Sequence, residues 1–434
     1  MEQLKQLGEL RHWIAGLQWF FFIFVNIIIV PIAVAEAFEL GSAETISTIR
    51  MSFIVTGLAC LAQGILGHGR PLLEGQSGVW MGIFLTLVTT TAAQGIPLYE
   101  LGGSLALGVI IAGVITIIVG IIGVGPQLAK LFNPTVMGVF TFLLGVTLLQ
   151  IFFQGMLGIP FGVSDDAKID VPVASLAILI AIIVIIISIK SRPGIRSYAL
   201  LIGIIVGWIV YLILFGSDES VVTGESSLLF FPLGKLTWNT GIVLTAVFAG
   251  LLNLSNTFGA LKGLDDLENT ETTSRDYRRT FSITGLASIS SGVFGLVPYA
   301  PYVSSLGFLQ QTNLFDRVPF FIGSFLFFLL GVFQPISAFF AAIPLSIGSA
   351  VLFVAYLQMF NSSWNFLKNV QFNTMNVYRI AIPLFVGIII MTFPPTYFES
   401  LPSFIRPFLS NGLLVGIFLS IVLENMIRWD RVGN

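Results

Sequence analysis

Charge is scarce in this 434-residue chain: 20 Lys and Arg and 22 Asp and Glu make up 10% of it. A soluble domain spends about a quarter of its residues on these four types. A water-soluble enzyme, a coiled coil and a disordered chain are therefore excluded. The net charge of −2 leaves no basic face, so no nucleic-acid partner is expected. Cysteine is nearly absent. The single Cys60 lies in the apolar run FIVTGLACLAQGIL, which excludes a disulfide and a thiolate–metal cluster and leaves a small core residue. Histidine is limited to His12 and His68, too few for a His-based metal site or triad within a bilayer. No GxSxG, HExxH, Walker or Rossmann pattern stands in a fitting context, so neither catalysis nor a cofactor or metal is expected. No small-residue cleavage site closes the first apolar run, which has the length of a span and not of a leader.

What fills the chain is apolar. Hydrophobic residues make up 56% and the mean hydropathy is +0.95, the composition of a polytopic membrane protein. A bilayer core takes about 20 apolar residues per helix. Runs that meet this fall near 14–34, 51–67, 101–124, 135–154, 171–189, 198–215, 240–261, 280–297, 319–333, 336–358, 378–393 and 407–427. Two interrupted stretches, near 72–94 and 298–314, bring the expectation to about 14 spans. With both termini in the cytoplasm, 16 of the 20 basic residues fall in inside segments. Only Arg50, Lys168, Lys235 and Arg406 fall outside, beside the acidic loops VSDDAKID and GSDESVVTGE. The chain thus reads as an all-α, multi-pass protein of the cell membrane.

Backbone without hydrogen-bond partners costs several kcal/mol per group in hydrocarbon, so helix-poor sequence at membrane depth belongs where it lines a protein cavity. GHGRPLLEGQSGVWMG (67–82) has that character, with Pro71, Gly75, Gly78 and Gly82 around Glu74, Gln76 and Ser77. GLVPYAPYVSSLGFLQQTN (295–313) has it too, with Pro298, Pro301, Ser304, Ser305 and Gly307. One is the third span of the first half and the other the third span of the second. Corresponding broken spans in two halves of seven predict an inverted 7+7 repeat with a site near the midplane. Half-helix N-termini there would offer backbone N–H groups to a polar ligand.

Four stretches in order resemble the nucleobase:cation symporter-2 family, the nucleobase–ascorbate transporters that include uracil and xanthine permeases. They are LQWFFFIFVNIIIVP (17–31), RPLLEGQSGVWMG (70–82), RRTFSITGLASISSGVFGLVPYAPYVSSLGFLQQT (278–312) and LLGVFQPISAFFAAIPLSIGSAVLFVAY (329–356). The resemblance implies a core domain from spans 1–4 and 8–11 (14–124 and 240–333). It implies a gate domain from spans 5–7 and 12–14 (131–215 and 336–427). It also implies short strands within the third and tenth spans, a nucleobase bound beside them, proton coupling and a homodimer. The family's eighth-span carboxylate aligns with Ser255 here, and the polar residue four positions on with Gly259. The tenth-span signature falls on Ser304, followed by Ser305, and the aromatic of the third span on Gly78, with Trp80 two places on. The family's usual carboxylates are thus missing.

Among single residues, Glu74 is the sharpest signal, because a carboxylate within a membrane segment is costly and marks function by default. It could hold a base or carry the coupled proton; the bland alternative is a pair with Arg70 at the cytoplasmic mouth. Asn26, Asn253 and Asn256 are amides in apolar spans, each with a donor and an acceptor to match an N–H/C=O edge. Interhelical hydrogen bonding is the alternative for each, and Asn253 reads as packing. The candidate substrate-binding set is Asn26, Glu74, Gln76, Ser77, Gly78, Ser255, Asn256, Val303, Ser304 and Ser305, with Glu74 as proton carrier. Trp80 could supply a stacking face. Gln63 reads as packing, Glu36 and Glu424 as solvated interface, and the run 265–279 as a solvated loop. The expectation is a proton-driven importer of uracil or a purine such as xanthine, with lipid, proton and base as its partners. An uncoupled facilitator and a small-anion carrier of the same fold remain its rivals.

Overall fold

In the computed structural model, the residues described are 10–427 and 429, apart from 93, 160, 162–167, 197, 217–227, 369 and 372. The acidic loops at 163–170 and 216–225 therefore lie largely outside the described residues, as do Lys5, Arg428 and Arg431.

The chain is mostly helical. Helices α1 (Leu10–Ile27) and α2 (Ile29–Ala37) form the first span and α3 (Ser42–Ile65) the second. A three-residue strand, β1 (Glu74–Gln76), then leads into α4 (Gly78–Ala92). Next come α5 (Leu98–Ile122), the short α6 (Gly125–Ala129), α7 (Pro134–Met156), α8 (Val171–Lys190), α9 (Pro193–Arg196) and α10 (Ala199–Phe215). The second half runs through α11 (Thr240–Glu268), α12 (Ser274–Phe294), strand β2 (Tyr299–Pro301) and α13 (Ser304–Thr312). It closes with α14 (Arg317–Val332), α15 (Gln334–Ala341), α16 (Leu345–Tyr356), α17 (Gln358–Leu367), α18 (Thr374–Thr392), α19 (Arg406–Leu409) and α20 (Gly412–Met426).

Local chemistry sets these boundaries. Asn133 caps α7 through Val136 N–H ahead of Pro134, and Asn239 caps α11 through Ile242 N–H. Thr273 and Asp276 close a capping box on α12, which ends at Gly295 with φ +68°, a left-handed turn that delivers the chain into β2. Among the described residues, eight helices are long and apolar enough to cross a membrane, or nine if α14 and α15 count as one. Those two are bent by 87°, and the expected run over 336–358 is divided at 342–344, between α15 and α16. Pro335 opens α15 and Pro344 precedes α16, and each denies the preceding turn its hydrogen bond. Helix α12 is less apolar, because Arg275, Asp276, Arg278 and Arg279 fill its first turns and Ser and Thr line the rest, yet it packs tightly on α5. A Cβ on Gly113 would lie 2.8 Å from the Gly285 carbonyl, and one on Gly285 2.6 Å from the Gly113 carbonyl. Such close approach of small residues is how helices associate where hydrocarbon offers no hydrophobic drive.

Packing gathers α1, α3, α5, α11, α12 and α14 into one set of neighbours, and α7, α8, α16, α17, α18 and α20 into another. The two strands cross within the first set. They pair antiparallel with Glu74 opposite Pro301, Gly75 opposite Ala300 and Gln76 opposite Tyr299. Tyr302 N–H to the Leu73 carbonyl (2.8 Å) and Ser77 N–H to the Pro298 carbonyl (2.8 Å) extend the pairing at both ends. Backbone that no helix could satisfy is thereby satisfied.

Candidate functional site

A strand points successive side chains to opposite faces, so Glu74 and Gln76 share one face and Gly75 the other. The first face looks onto α3 and α12. Glu74 is fully buried there; Gln63 donates to its Oε2 (3.1 Å) and Thr284 to its Oε1 (2.6 Å). Gln76, also fully buried, donates to Ser52 Oγ at 2.5 Å and accepts from Val297 N–H at 3.3 Å. Further along the seam Tyr299 Oη bonds Thr56 Oγ1 at 2.9 Å. Cys60 lies against the strand, with Glu74 N–H 3.3 Å from its Sγ.

The opposite face looks onto α11 and the helical starts after each strand. On β1 it carries only Gly75, where a Cβ would meet Ile27 at 2.6 Å and Tyr302 at 3.1 Å. Beyond the strand, Asn253 donates from Nδ2 to the Tyr299 carbonyl at 2.8 Å. Asn256 donates to Asn253 Oδ1 at 3.1 Å and to Ser77 Oγ at 3.2 Å. Asn256 and Gly259 are half-buried among buried neighbours on α11, and Tyr302 and Val303 are half-buried while Ser304 is exposed. A Cβ on Gly259 would lie 3.4 Å from Val303 and 3.6 Å from Met137 of α7. A Cβ on Gly78 would lie 3.2 Å from Leu148 of α7 and 3.6 Å from Tyr356 Oη of α16. Tyr356 in turn stacks on Phe152, ring centroids 5.4 Å apart and 2° from parallel.

The structure thus brings together Ser77, Gly78, Asn256, Val303 and Ser304 of the expected set. It does not bring Glu74 or Gln76 to them, because the strand's alternation turns both toward α3 and α12. Ser305 is buried and its Oγ accepts from Leu73 N–H at 3.1 Å, bracing the entry to β1. Ser255 is fully buried with its hydroxyl unpartnered, and Asn26 donates back to the Phe22 carbonyl at 2.8 Å. Trp80 is buried in an edge-on pair with Phe84, 6.1 Å between centroids, so it offers no free stacking face. Sequence reasoning missed Tyr302, Tyr356 and Phe152, aromatics in apolar runs that only the meeting of α4, α7 and α16 makes significant. Asn253, read as packing, does tie α11 to β2 through the Tyr299 carbonyl, and it also positions the Asn256 amide.

Two ionic assignments change as well. Arg70 does not pair with Glu74; it reaches Asp265 at 2.6 Å, which also accepts from Thr272 N–H at 2.9 Å. Asp265 is 7% exposed, so the run from 265 begins buried and not as a solvated face. Glu424 is buried too, in an ion pair with Arg379 that Asn133 joins at 2.6 Å. In the turn between α3 and β1, the His68 imidazole is pushed down to about 3 by burial and by Arg70 and Arg317, against a weaker pull from Asp276.

The family model described as Permease family (Xan_ur_permease) matches residues 11–396. The chain is 28% identical over 430 residues to the YwdJ permease of Bacillus subtilis (strain 168), covering 96% of each. It is 26% identical over 424 residues to the xanthine permease of the same strain, covering 94% of this chain and 92% of that one. Among solved structures, the transmembrane domain of the cyanobacterial bicarbonate transporter BicA superposes with a TM-score of 0.61 at 14% identity, covering 95% and 98%. At that identity the likeness speaks for the fold.

Proposed function

The chain belongs to the Permease family of xanthine and uracil permeases, the nucleobase:cation symporter-2 family, and from that premise we propose that it imports an oxo-nucleobase by proton symport. The amide relay is the observation that carries the reading. A backbone carbonyl can only accept, so the Tyr299 carbonyl obliges Asn253 to present Nδ2 to it and Oδ1 to Asn256. Asn256 must answer with Nδ2, and both of its N–H bonds are then used, on Asn253 Oδ1 and Ser77 Oγ. What is left toward a ligand is one acceptor, Asn256 Oδ1, beside one donor, the Ser77 hydroxyl hydrogen. Their complement is an N–H next to a C=O, the lactam edge of uracil and xanthine. The amidine edge of adenine or cytosine offers an adjacent donor and acceptor in the reverse order, so the relay selects a base edge of this kind and the likeness to a xanthine permease favours the oxo-bases.

Gly78 brings the start of α4 close against Leu148 and Tyr356, so a base bound there would part α4 from α7 and α16, and the N-terminus of α4 adds N–H groups for a carbonyl oxygen. Glu74 carries the proton from the far side of the strand without touching the base. The moving parts are a core of residues 14–124 and 240–333 and a gate of 131–215 and 336–427, arranged as an inverted repeat of seven and seven spans. Both termini lie in the cytoplasm, where most of the basic residues fall. BicA's bicarbonate and the anions of murine Slc26a9 make a small anion the rival cargo on this fold. The residues that gather here, Ser77, Gly78, Asn256, Val303 and Ser304, are all uncharged, which favours a neutral base.

The test is uptake of labelled uracil and xanthine into proteoliposomes with and without an inward proton gradient. Accumulation that collapses with the gradient, and competition by oxo-bases above adenine and above bicarbonate, is the expected result. Competition by bicarbonate alone overturns it.

A further inference from the structure

The ligand side of the strands leaves open how a proton reaches Glu74, since its carboxyl points the other way. Around it the hydrogen bonds permit two arrangements. Gln63 Nε2 lies 3.1 Å from Glu74 Oε2, 3.1 Å from Thr284 Oγ1 and 3.2 Å from the Thr280 carbonyl, three acceptors for two hydrogens. Thr284 can donate to an ionised Glu74 or accept from a protonated one, with Gln63 redistributing its donors.

Three buried polar atoms on the same seam are without a partner: Gln63 Oε1, Thr280 Oγ1 and His68 Nε2. Buried polar groups are otherwise satisfied, so each calls for an explanation. Gln63 Oε1 lies against the turn that carries His68, since a Cβ on Gly67 would come within 2.0 Å of it. His68 Nδ1 accepts from Arg70 N–H at 3.0 Å, so in the neutral ring the unpartnered Nε2 bears the hydrogen. The three atoms thus offer an acceptor, a hydroxyl and a donor, the partner set a bridging water takes. Gly69 and Arg70, next in the chain, are half-buried at the protein's end.

We propose that Glu74 exchanges its proton with solvent through water held along the α3–α12 seam by Gln63, Thr280 and His68, emerging at the 67–70 turn and not through the ligand cavity. This rests on Glu74 being the proton carrier. In the step, the Glu74 O–H bond breaks and a seam water takes the proton, which passes from water to water to the turn. The electron pair stays on the carboxylate, which Gln63 and Thr284 hold as donors. The groups that face the path are Cys60 and Gln63 from α3, Thr280 and Thr284 from α12, and His68 with Arg70, Asp265, Asp276 and Arg317 around the turn. Basic residues concentrate on that side, so the seam is the release route to the cytoplasm.

Infrared spectroscopy of the full chain in proteoliposomes tests this. The protonated-carboxyl stretch of Glu74 is the band lost in Glu74→Gln, and its hydrogen–deuterium exchange rate is the readout. Thr280→Val, which keeps the volume and removes the hydroxyl, slows exchange about tenfold, the effect of one lost hydrogen bond on the path. Thr280→Ser keeps the wild-type rate. In the unmodified chain, saturating xanthine leaves the rate unchanged, a measurement that needs no variant to fold. Exchange that xanthine blocks, or that Thr280→Val leaves untouched, overturns the seam route. Absence of any band lost in Glu74→Gln overturns the proton-carrier reading beneath it.

Discussion

Asn253 donates to the Tyr299 carbonyl at 2.8 Å, and this bond orients the amides that follow. It ties α11 to β2, so the acceptor that Asn256 presents is set by backbone and not by a rotamer's choice. Replacing Asn253 with Asp removes the donor and sets a carboxylate oxygen against the Tyr299 carbonyl. Asn253→Asp therefore weakens xanthine binding about 10- to 100-fold, the cost of a buried polar group left unpaired. Asn256→Ala has a similar effect. Equilibrium binding to purified protein measures both, and wild-type affinity in either variant would remove the relay from recognition.

Glu424 and Arg379 tie α20 to α18, and Asn133 draws in the start of α7. The Glu424 side chain is only 2% exposed and that of Arg379 21%, so removing the carboxylate leaves a half-buried guanidinium without its partner. Glu424→Ala costs about 1–3 kcal/mol, whereas the double change Arg379→Met with Glu424→Leu recovers most of that loss. Thermal unfolding in detergent reads the difference. Equal losses in the single and double variants would show that packing, not the stranded charge, sets the cost.

Much of this architecture is legible in the sequence because a bilayer allows few solutions. Runs of hydrophobic residues and the paired Gly and Pro interruptions at 67–82 and 295–313 are direct consequences of hydrocarbon as a solvent. The site is less legible. Glu74, Gln76 and Ser77 are neighbours in sequence, but a strand of three residues turns the first two away from the third's partners, and no periodicity appears in so short a run. Asn253 and Asn256 look alike in sequence, and only the bond to the Tyr299 carbonyl marks Asn253 as the anchored one. Arg70 and Asp265 are 195 residues apart, a pairing that nothing local announces.

Gly78 opens α4 at the point where it faces α7 and α16. An added methyl would press Leu148 at 3.2 Å, a contact that a flexible leucine end relieves by a small shift. A larger side chain has nowhere to go except toward Tyr356, 3.6 Å from the added Cβ, where the proposed base would lie. Gly78→Ala therefore retains measurable uptake and Gly78→Leu abolishes it, with gel-filtration profiles alike. Uptake by Gly78→Leu at the wild-type rate would move the ligand away from α4.

The buried imidazole of His68 gives the fold a pH dependence whose sign can be worked out. Its unfolded pKa is about 6.5, while burial, with Arg70 and Arg317, holds the folded value at about 3. Between those two values the unfolded chain binds a proton that the folded chain refuses, so acid favours unfolding. The contribution is fully present above about pH 6.5 and is lost as pH falls through the window toward 3. His68→Gln keeps an acceptor for the Arg70 N–H and cannot titrate. The melting temperature of the unmodified protein therefore falls more steeply with acid across that window than that of His68→Gln. Carboxylates elsewhere titrate in both proteins and cancel in the difference. Parallel melting curves would mean that the turn opens to let the ring charge.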